Sequence, residues 1–294
     1  MLKYIDLVLN QKLKMVLTTA VAPMVWGSTY LVTTEFLPPG RPLLAAAVRA
    51  LPAGLLLVVV SGRLPRGSWW WRAAVLGTLN IGVFFALLFV AAYRLPGGVA
   101  AVIGATQPLL VAGLAARLIG ERLTRRRLLA LVGGLAGVAL LVLRAQARLD
   151  AVGVTAAVGG ALAMATGVVL AKRWGRPAPL LAVTGWQLVA GGLLLAPLAL
   201  AVEGPPPTVS AGNLAGFAYL SLVGTAVAYA LWFRGIGALP VTDVTILGLL
   251  SPLVATLLGW MVLGQTLTAG QVLGSLIVLA ALGITQTTKR GPPS

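Results

Sequence analysis

The sequence holds no cysteine and no histidine in its 294 residues. Disulfides, thiolate chemistry and the usual ligands of zinc and haem are thereby removed. Acids are scarce as well: six Asp and Glu stand against 22 Lys and Arg, and charge of either sign occupies 10% of positions. Soluble domains carry about 25% charged residues, so this composition cannot build a water-facing shell. There is no HExxH, no serine with a histidine partner, no Walker A loop and no embedded pair of acids. Hydrolytic and metal chemistry lack their customary groups, so an enzyme is not expected, and neither is a cofactor or a metal. The formal net charge of +16 would suggest nucleic acid in a soluble chain. Here the cations sit in short clusters between apolar runs, which reads as membrane topology, and no nucleic-acid partner is expected.

What the chain has in abundance is apolar length, with 59% hydrophobic residues. A bilayer core about 30 Å thick needs about 20 apolar residues in a helix, and a backbone in lipid must satisfy its own hydrogen bonds. Ten spans meet that need: 15–34, 42–60, 72–92, 97–117, 127–144, 151–171, 180–201, 212–233, 241–263 and 268–287. The first run follows Lys3, Lys12 and Lys14 in the manner of a signal peptide. It continues to Thr34 without a cleavage site, so a spanning helix is expected. Of the 22 basic residues, 17 fall on one side of this layout and four, Arg41, Arg94, Arg144 and Arg148, on the other, with Arg49 inside a span. The positive-inside rule then places both termini in the cytoplasm.

The chain also contains itself twice. LPGGVAAVIGATQPLLVAGLAARLIGERLT at 95–124 aligns without a gap on LPVTDVTILGLLSPLVATLLGWMVLGQTLT at 239–268, with nine identities at an offset of 144. Pro96/Pro240, Pro108/Pro252, Gly104/Gly248 and Gly120/Gly264 are among them. The same offset aligns 76–89 on 220–233, and an offset of 138 aligns AGLLL at 53–57 on GGLLL at 191–195. Each copy holds five spans. An odd number forces the second copy to enter the membrane the opposite way round, an inverted repeat about an axis in the membrane plane. The expected architecture is an all-α polytopic membrane protein of ten transmembrane helices, built as two inverted five-helix repeats around a central cavity. Its parts are a cytoplasmic tail at 1–14, the repeats at 15–146 and 147–287, and a second tail at 288–294.

Polar and aromatic residues inside spans are the candidates for function. In the first span Pro23, Trp26, Gly27, Tyr30 and Thr34 share one face, which suits a cavity or protein contact better than lipid. Asn80 is an amide far from either end of its span, with Phe84 one turn along. Ser221, Thr225 and Tyr229 recur every four residues in the eighth span, with Trp232 nearby. Arg49, the basic residue within a span, could attract a substrate carboxylate or pair with carbonyls and lock its helix. The repeat alignment sets Gln187 opposite it, beside Trp186 and Thr184. Pro108 and Pro252 each remove a backbone hydrogen bond at equivalent places, as paired hinges or kinks would. Gly133, Gly134 and Gly137 form a small-residue face for packing within the chain.

WGSTYL at 26–31, Arg49, the Pro108 and Pro252 helices and the GERLT/GQTLT endings at 120–124 and 264–268 together resemble the drug/metabolite transporter superfamily, specifically its EamA-type ten-helix exporters. The resemblance implies helices 1–4 and 6–9 around the cavity with 5 and 10 peripheral, and a secondary transporter exporting small metabolites, amino acids foremost. A monomer with small-molecule substrates and membrane lipids as partners is expected, and the Ala, Gly, Leu and Arg bias, which suits a GC-rich bacterium, places it in a bacterial inner membrane. The substrate cavity is expected to gather Trp26, Tyr30, Arg49, Asn80, Phe84, Trp186, Gln187, Ser221, Thr225 and Tyr229. Small four-helix relatives carry a glutamate in the first helix where Met24 stands here, and Asp243 is the one acid within a span, so proton coupling is not implied. A nucleotide-sugar or lipid-linked-sugar carrier, a passive channel and a non-transporting sensor are the alternatives.

Overall fold

A computed structural model describes residues 2–95, 97–142, 150–206, 208–264 and 266–286. Arg144, Arg148, Lys289, Arg290 and the tail expected at 288–294 lie outside them. Every described element is helical, and the helices line up as ten rods. We number these α1 (Leu2–Phe36), α2 (Pro42–Ser61), α3 (Trp69–Gly77, a π turn at Thr78–Val83, then Phe84–Arg94), α4 (Gly97–Gly104 and Gln107–Leu118) and α5 (Arg125–Val142). The second half holds α6 (Ala151–Trp174), α7 (Leu180–Glu203), α8 (Ala211–Ser221, a π turn at Leu222–Val227, then Ala228–Ala238), α9 (Val241–Thr245, a 3-10 turn at Ile246–Leu249, then Leu250–Leu263) and α10 (Ala269–Gln286). Eight stretches are long and apolar enough to cross a bilayer, and Ala269–Ile284 is a shorter apolar helix. Helix α5 opens on Arg125, Arg126 and Arg127, which shortens its apolar part. At 18 residues, α5 and α10 still reach about 27 Å. The first helix begins well before the expected residue 15, because nothing between Leu2 and Met15 breaks a helix.

Local chemistry explains where the rods start and stop. Pro42 opens α2, where its missing N–H costs nothing, and Gly62 closes it in the left-handed region at φ 61°. Asp150 caps α6 by accepting from the Gly153 N–H at 2.7 Å. Ser210 and Asn213 form a reciprocal capping box at α8. Two caps cross the molecule. The Glu203 carboxylate accepts from Leu43 N and Leu44 N at 2.6 and 2.9 Å, and Glu121 accepts from Val241 N and Thr242 N at 3.0 and 3.1 Å. A carboxylate at a helix N-terminus meets both the free N–H groups and the positive end of the dipole.

The pairing of rods carries the symmetry. Helix α2 packs on α7 and α5 on α10, while α1 packs on α8 and α9, and α6 packs on α3 and α4. Exchanging the halves maps that set of pairs onto itself. The self-paired rods run antiparallel: Gly54 abuts Val189 while Gly192 abuts Leu51, and Gly137 abuts Gly274 while Gly134 abuts Ala281. A two-fold that sends each such pair onto itself must lie across the helix axes, and therefore in the membrane plane. The two π turns, at Thr78–Val83 and Leu222–Val227, obey the same offset of 144 as the sequence repeat. So do Pro108 and Pro252, each preceded by a break in its rod and each denying a hydrogen bond to the carbonyl four residues back, at Gly104 and Gly248.

Candidate functional site

The interior is organised around the π turns. A π turn inserts a residue into the helical ladder and exposes backbone polar groups to outside partners. The Gly224 carbonyl, in the turn of α8, accepts from Trp26 Nε1 at 3.1 Å and from Arg49 Nη2 at 3.2 Å. Arg49 Nε donates to Thr225 Oγ1 at 3.1 Å, and its guanidinium lies 4.9 Å from the centre of the Phe85 ring. Both donors come from the first repeat and both acceptors from the second. In the matching turn of α3, position 80 stands where 224 stands in α8. There Asn80 Nδ2 donates to Gln187 Oε1 at 3.0 Å, and Gln187 Nε2 returns a bond to the Val183 carbonyl of its own helix at 3.3 Å. Positions 49 and 187 are repeat equivalents, as are 80 and 224. The halves thus brace one another reciprocally, α2 onto α8 and α7 onto α3.

An aromatic group adjoins the Arg49 brace. Trp26 lies 5.1 Å from both Tyr229 and Trp232, and Tyr229 lies 5.9 Å from Phe233. Glycine makes the approach feasible. A Cβ on Gly27 would lie 2.7 Å from the Ser251 carbonyl and from Val254, so α1 and α9 meet here backbone to side chain. Ser28 and Tyr219 share a hydrogen bond of 2.7 Å between the same halves.

A cavity of about 310 Å³ opens on the other side of this group. Leu76, Val183, Thr184, Gln187, Phe233 and Ile236 line its depth, with Lys172 and Arg176 nearer its mouth. It lies at the low end of the size range of small-ligand sites. The Thr184 hydroxyl and the Asn80 carbonyl oxygen are buried without a hydrogen-bond partner, a costly state that a polar solute or water would relieve. Lys172 Nζ donates to the Ile236, Gly237 and Leu239 carbonyls at 2.8, 3.2 and 2.8 Å, closing the last turn of α8. A second, shallower cleft of about 550 Å³ is bounded by Leu118, Glu121, Lys172, Arg173 and Pro240. Beside it Arg127 pairs with Asp243 at 3.0 Å and with Glu121 at 3.8 Å.

The residues singled out in the sequence are distributed as follows. Trp26, Arg49, Thr225 and Tyr229 meet at the α8 turn, and Asn80 and Gln187 meet at the α3 turn. Ser221 is buried at the residue immediately before the α8 π turn, its hydroxyl unpartnered. Phe84 is half-buried with its ring 5.5 Å from Phe85. Trp186 stands apart from the others: its indole donates to the Arg63 carbonyl at 2.8 Å, and it packs on Trp69 in a separate cluster. Neighbouring helical positions point about 100° apart, so Gln187 faces the interior and Trp186 the flank. The Tyr30 side chain lies outside those described. Phe85, Lys172 and Phe233 were not singled out. Phe85 was within reach of the repeat register, since it aligns on Tyr229.

A doubled, inverted bundle with buried polar braces and an internal cavity defines a polytopic membrane protein. The EamA-like transporter family matches residues 13–143 and again 151–287. Protein PecM of Dickeya dadantii is 47% identical over 267 residues, covering 90% of each chain. The WAT1-related protein At3g02690, chloroplastic, of Arabidopsis thaliana is 31% identical over 87% of this chain and 66% of its own length. The uncharacterized inner membrane transporter YedA of Escherichia coli K12 is 29% identical over 89% and 87%. One solved structure superposes with a TM-score of 0.80 at 21% identity, covering 92% of this chain and 96% of its own, a likeness of fold alone. The chain belongs to the EamA-like transporter family; it is a membrane transporter and not an enzyme.

Proposed function

We propose that the protein is a monomeric secondary exporter of small metabolites, amino acids foremost, working by alternating access in a bacterial inner membrane with both termini in the cytoplasm. The observation that carries this reading is the reciprocal bracing of the two π turns by Arg49 and Gln187. Two halves that grip each other at equivalent points can exchange roles, one sealing its end of the path while the other opens. The cavity beside Gln187 supports a small polar solute: Thr184 and Gln187 offer neutral hydrogen-bonding groups, and Lys172 and Arg176 place cations towards the mouth. That mouth lies at the end rich in Lys and Arg, which the positive-inside rule makes cytoplasmic, the side from which an exporter loads. Trp26, Tyr229 and Phe233 then form the aromatic wall along which the solute passes.

The test is counterflow in proteoliposomes loaded with unlabelled amino acids, sugars, nucleotides or organic cations, each with and without a pH gradient. Saturable uptake of labelled solute, accelerated by the same amino acid inside, is the expected result. Flux that rises linearly with concentration and shows no counterflow means a channel and overturns the carrier reading.

A further inference from the structure

Among the described residues the buried charges, Arg49 and Asp243, are answered from within the molecule; the half-buried Arg72 at the rim has no such answer. Arg72 lies in the first turn of α3, and its guanidinium stands 5.6 Å from the ring centres of Trp69, Trp71 and Trp174. Trp71 and Trp174 meet edge to face at 5.1 Å, so three indoles from α3 and the end of α6 wall the cation on several sides. Arg72 Nε is shut off from solvent and has no hydrogen-bond partner. The first turn of α3 contains no acid, and a cation at a helix N-terminus sits against the positive end of the dipole. Arg63 and Arg66, in the loop leading into that turn, add two exposed guanidinium groups. Among the described residues no carboxylate pairs with any of the three. Arg72 therefore breaks the charge rule for a helix start, and the site supplies no anion of its own.

We infer that this cage binds the phosphate of an anionic phospholipid. Position selects the lipid over a dissolved anion. Trp70 and Trp71 are 59% and 51% exposed at the end of a spanning helix, the level at which tryptophan marks the boundary between hydrocarbon and water. Val59, Val60 and Leu64, on the chain entering the loop, are also exposed and apolar, a surface for acyl chains. The guanidinium offers the fork that matches phosphate oxygens, and cation–π contact with the indoles holds that fork in place before the lipid arrives. Basic pockets between spanning helices are where anionic headgroups collect. The inference is independent of the transport reading, since it concerns the outer rim of α3 and α6 rather than the path.

The experiment follows thermal unfolding of the purified full chain in detergent. It is titrated with phosphatidylglycerol, with phosphatidylcholine of the same chain length, and with inorganic phosphate and glycerol 3-phosphate. Phosphatidylglycerol at saturation should raise the Tm by about 4–8 °C, as expected for a ligand bound to the folded state only, while the other three leave it unmoved. Arg72→Gln should weaken that lipid response about 10- to 100-fold, the loss of a charge-assisted contact. Arg234→Gln, an exposed change away from the cage, should respond as the wild type. Should Arg72→Gln fail to fold, Trp71→Phe with native mass spectrometry of retained lipid serves in its place, and must retain less phosphatidylglycerol than the wild type. Equal stabilisation by the two lipids overturns the inference. So does an equal response to inorganic phosphate, which would mean a soluble-anion site, and so does a wild-type response from both cage variants.

Discussion

Arg49 shows how much rests on single side chains. It is 8% exposed, yet its donors reach a hydroxyl and a carbonyl on the opposite repeat and its flat face meets Phe85. Lysine is a compact point charge that cannot reproduce this fork. Arg49→Lys is therefore expected to cut counterflow at least about tenfold, as losing one or two charged hydrogen bonds would, with membrane abundance on immunoblots close to wild type. Counterflow at the wild-type rate would mean that the brace plays no part in transport. The sequence marks Arg49 as the basic residue within a span and leaves open whether it meets a solute or a carbonyl. Its partner lies 175 positions away and becomes available through a π turn, for which residue propensities give no sign. Trp186 was illegible for a related reason. An aromatic residue inside a span advertises burial, but the face it buries is decided by which neighbour carries Trp69.

At the level of elements, the α2–α7 crossing depends on glycine. A Cβ at Gly54 would lie 2.6 Å from the Val189 backbone nitrogen, and one at Gly192 would lie 2.9 Å from that of Leu51. Gly54→Val or Gly192→Val must push these rods apart, which costs about 1–3 kcal/mol in overpacked interiors and should appear as a lowered Tm in detergent. Gly133→Val is the control, because a Cβ there meets nothing within 4 Å. A similar Tm for all three would contradict the close crossing. Helix number, the broken α4 and α9 and the packing of Gly134 and Gly137 on α10 were readable, because proline, glycine and apolar length act locally, whereas Gly133, expected on the same face, has no neighbour there. The rods themselves were placed within a few residues. The N-terminal extension of α1 to Leu2 was not, since a lipid-length argument says nothing about how far a helix continues beyond the bilayer.

For the whole molecule, the ion cluster of Arg127, Glu121 and Asp243 ties the end of α4 and start of α5 to the start of α9. Rocking of one half against the other has to strain or part this junction. The native chain carries no cysteine, so introduced thiols report alone. Glu121→Cys with Thr242→Cys, joined by a short bifunctional maleimide, is expected to abolish counterflow, whereas each single variant treated alike keeps it. Full activity in the joined protein would rule out movement at this end.

The two braces occupy equivalent sites but are chemically unlike. One is a permanent cation gripping a bare peptide oxygen at Gly224, and the other is a pair of neutral amides, Asn80 and Gln187. Arginine has donors and no acceptor, so it cannot imitate the amide arrangement when the halves trade places. If the halves exchange as proposed, the inward-facing and outward-facing forms must differ in free energy even with no solute aboard. Under the proposed cycle the empty protein would therefore rest with one end of its path open in preference to the other.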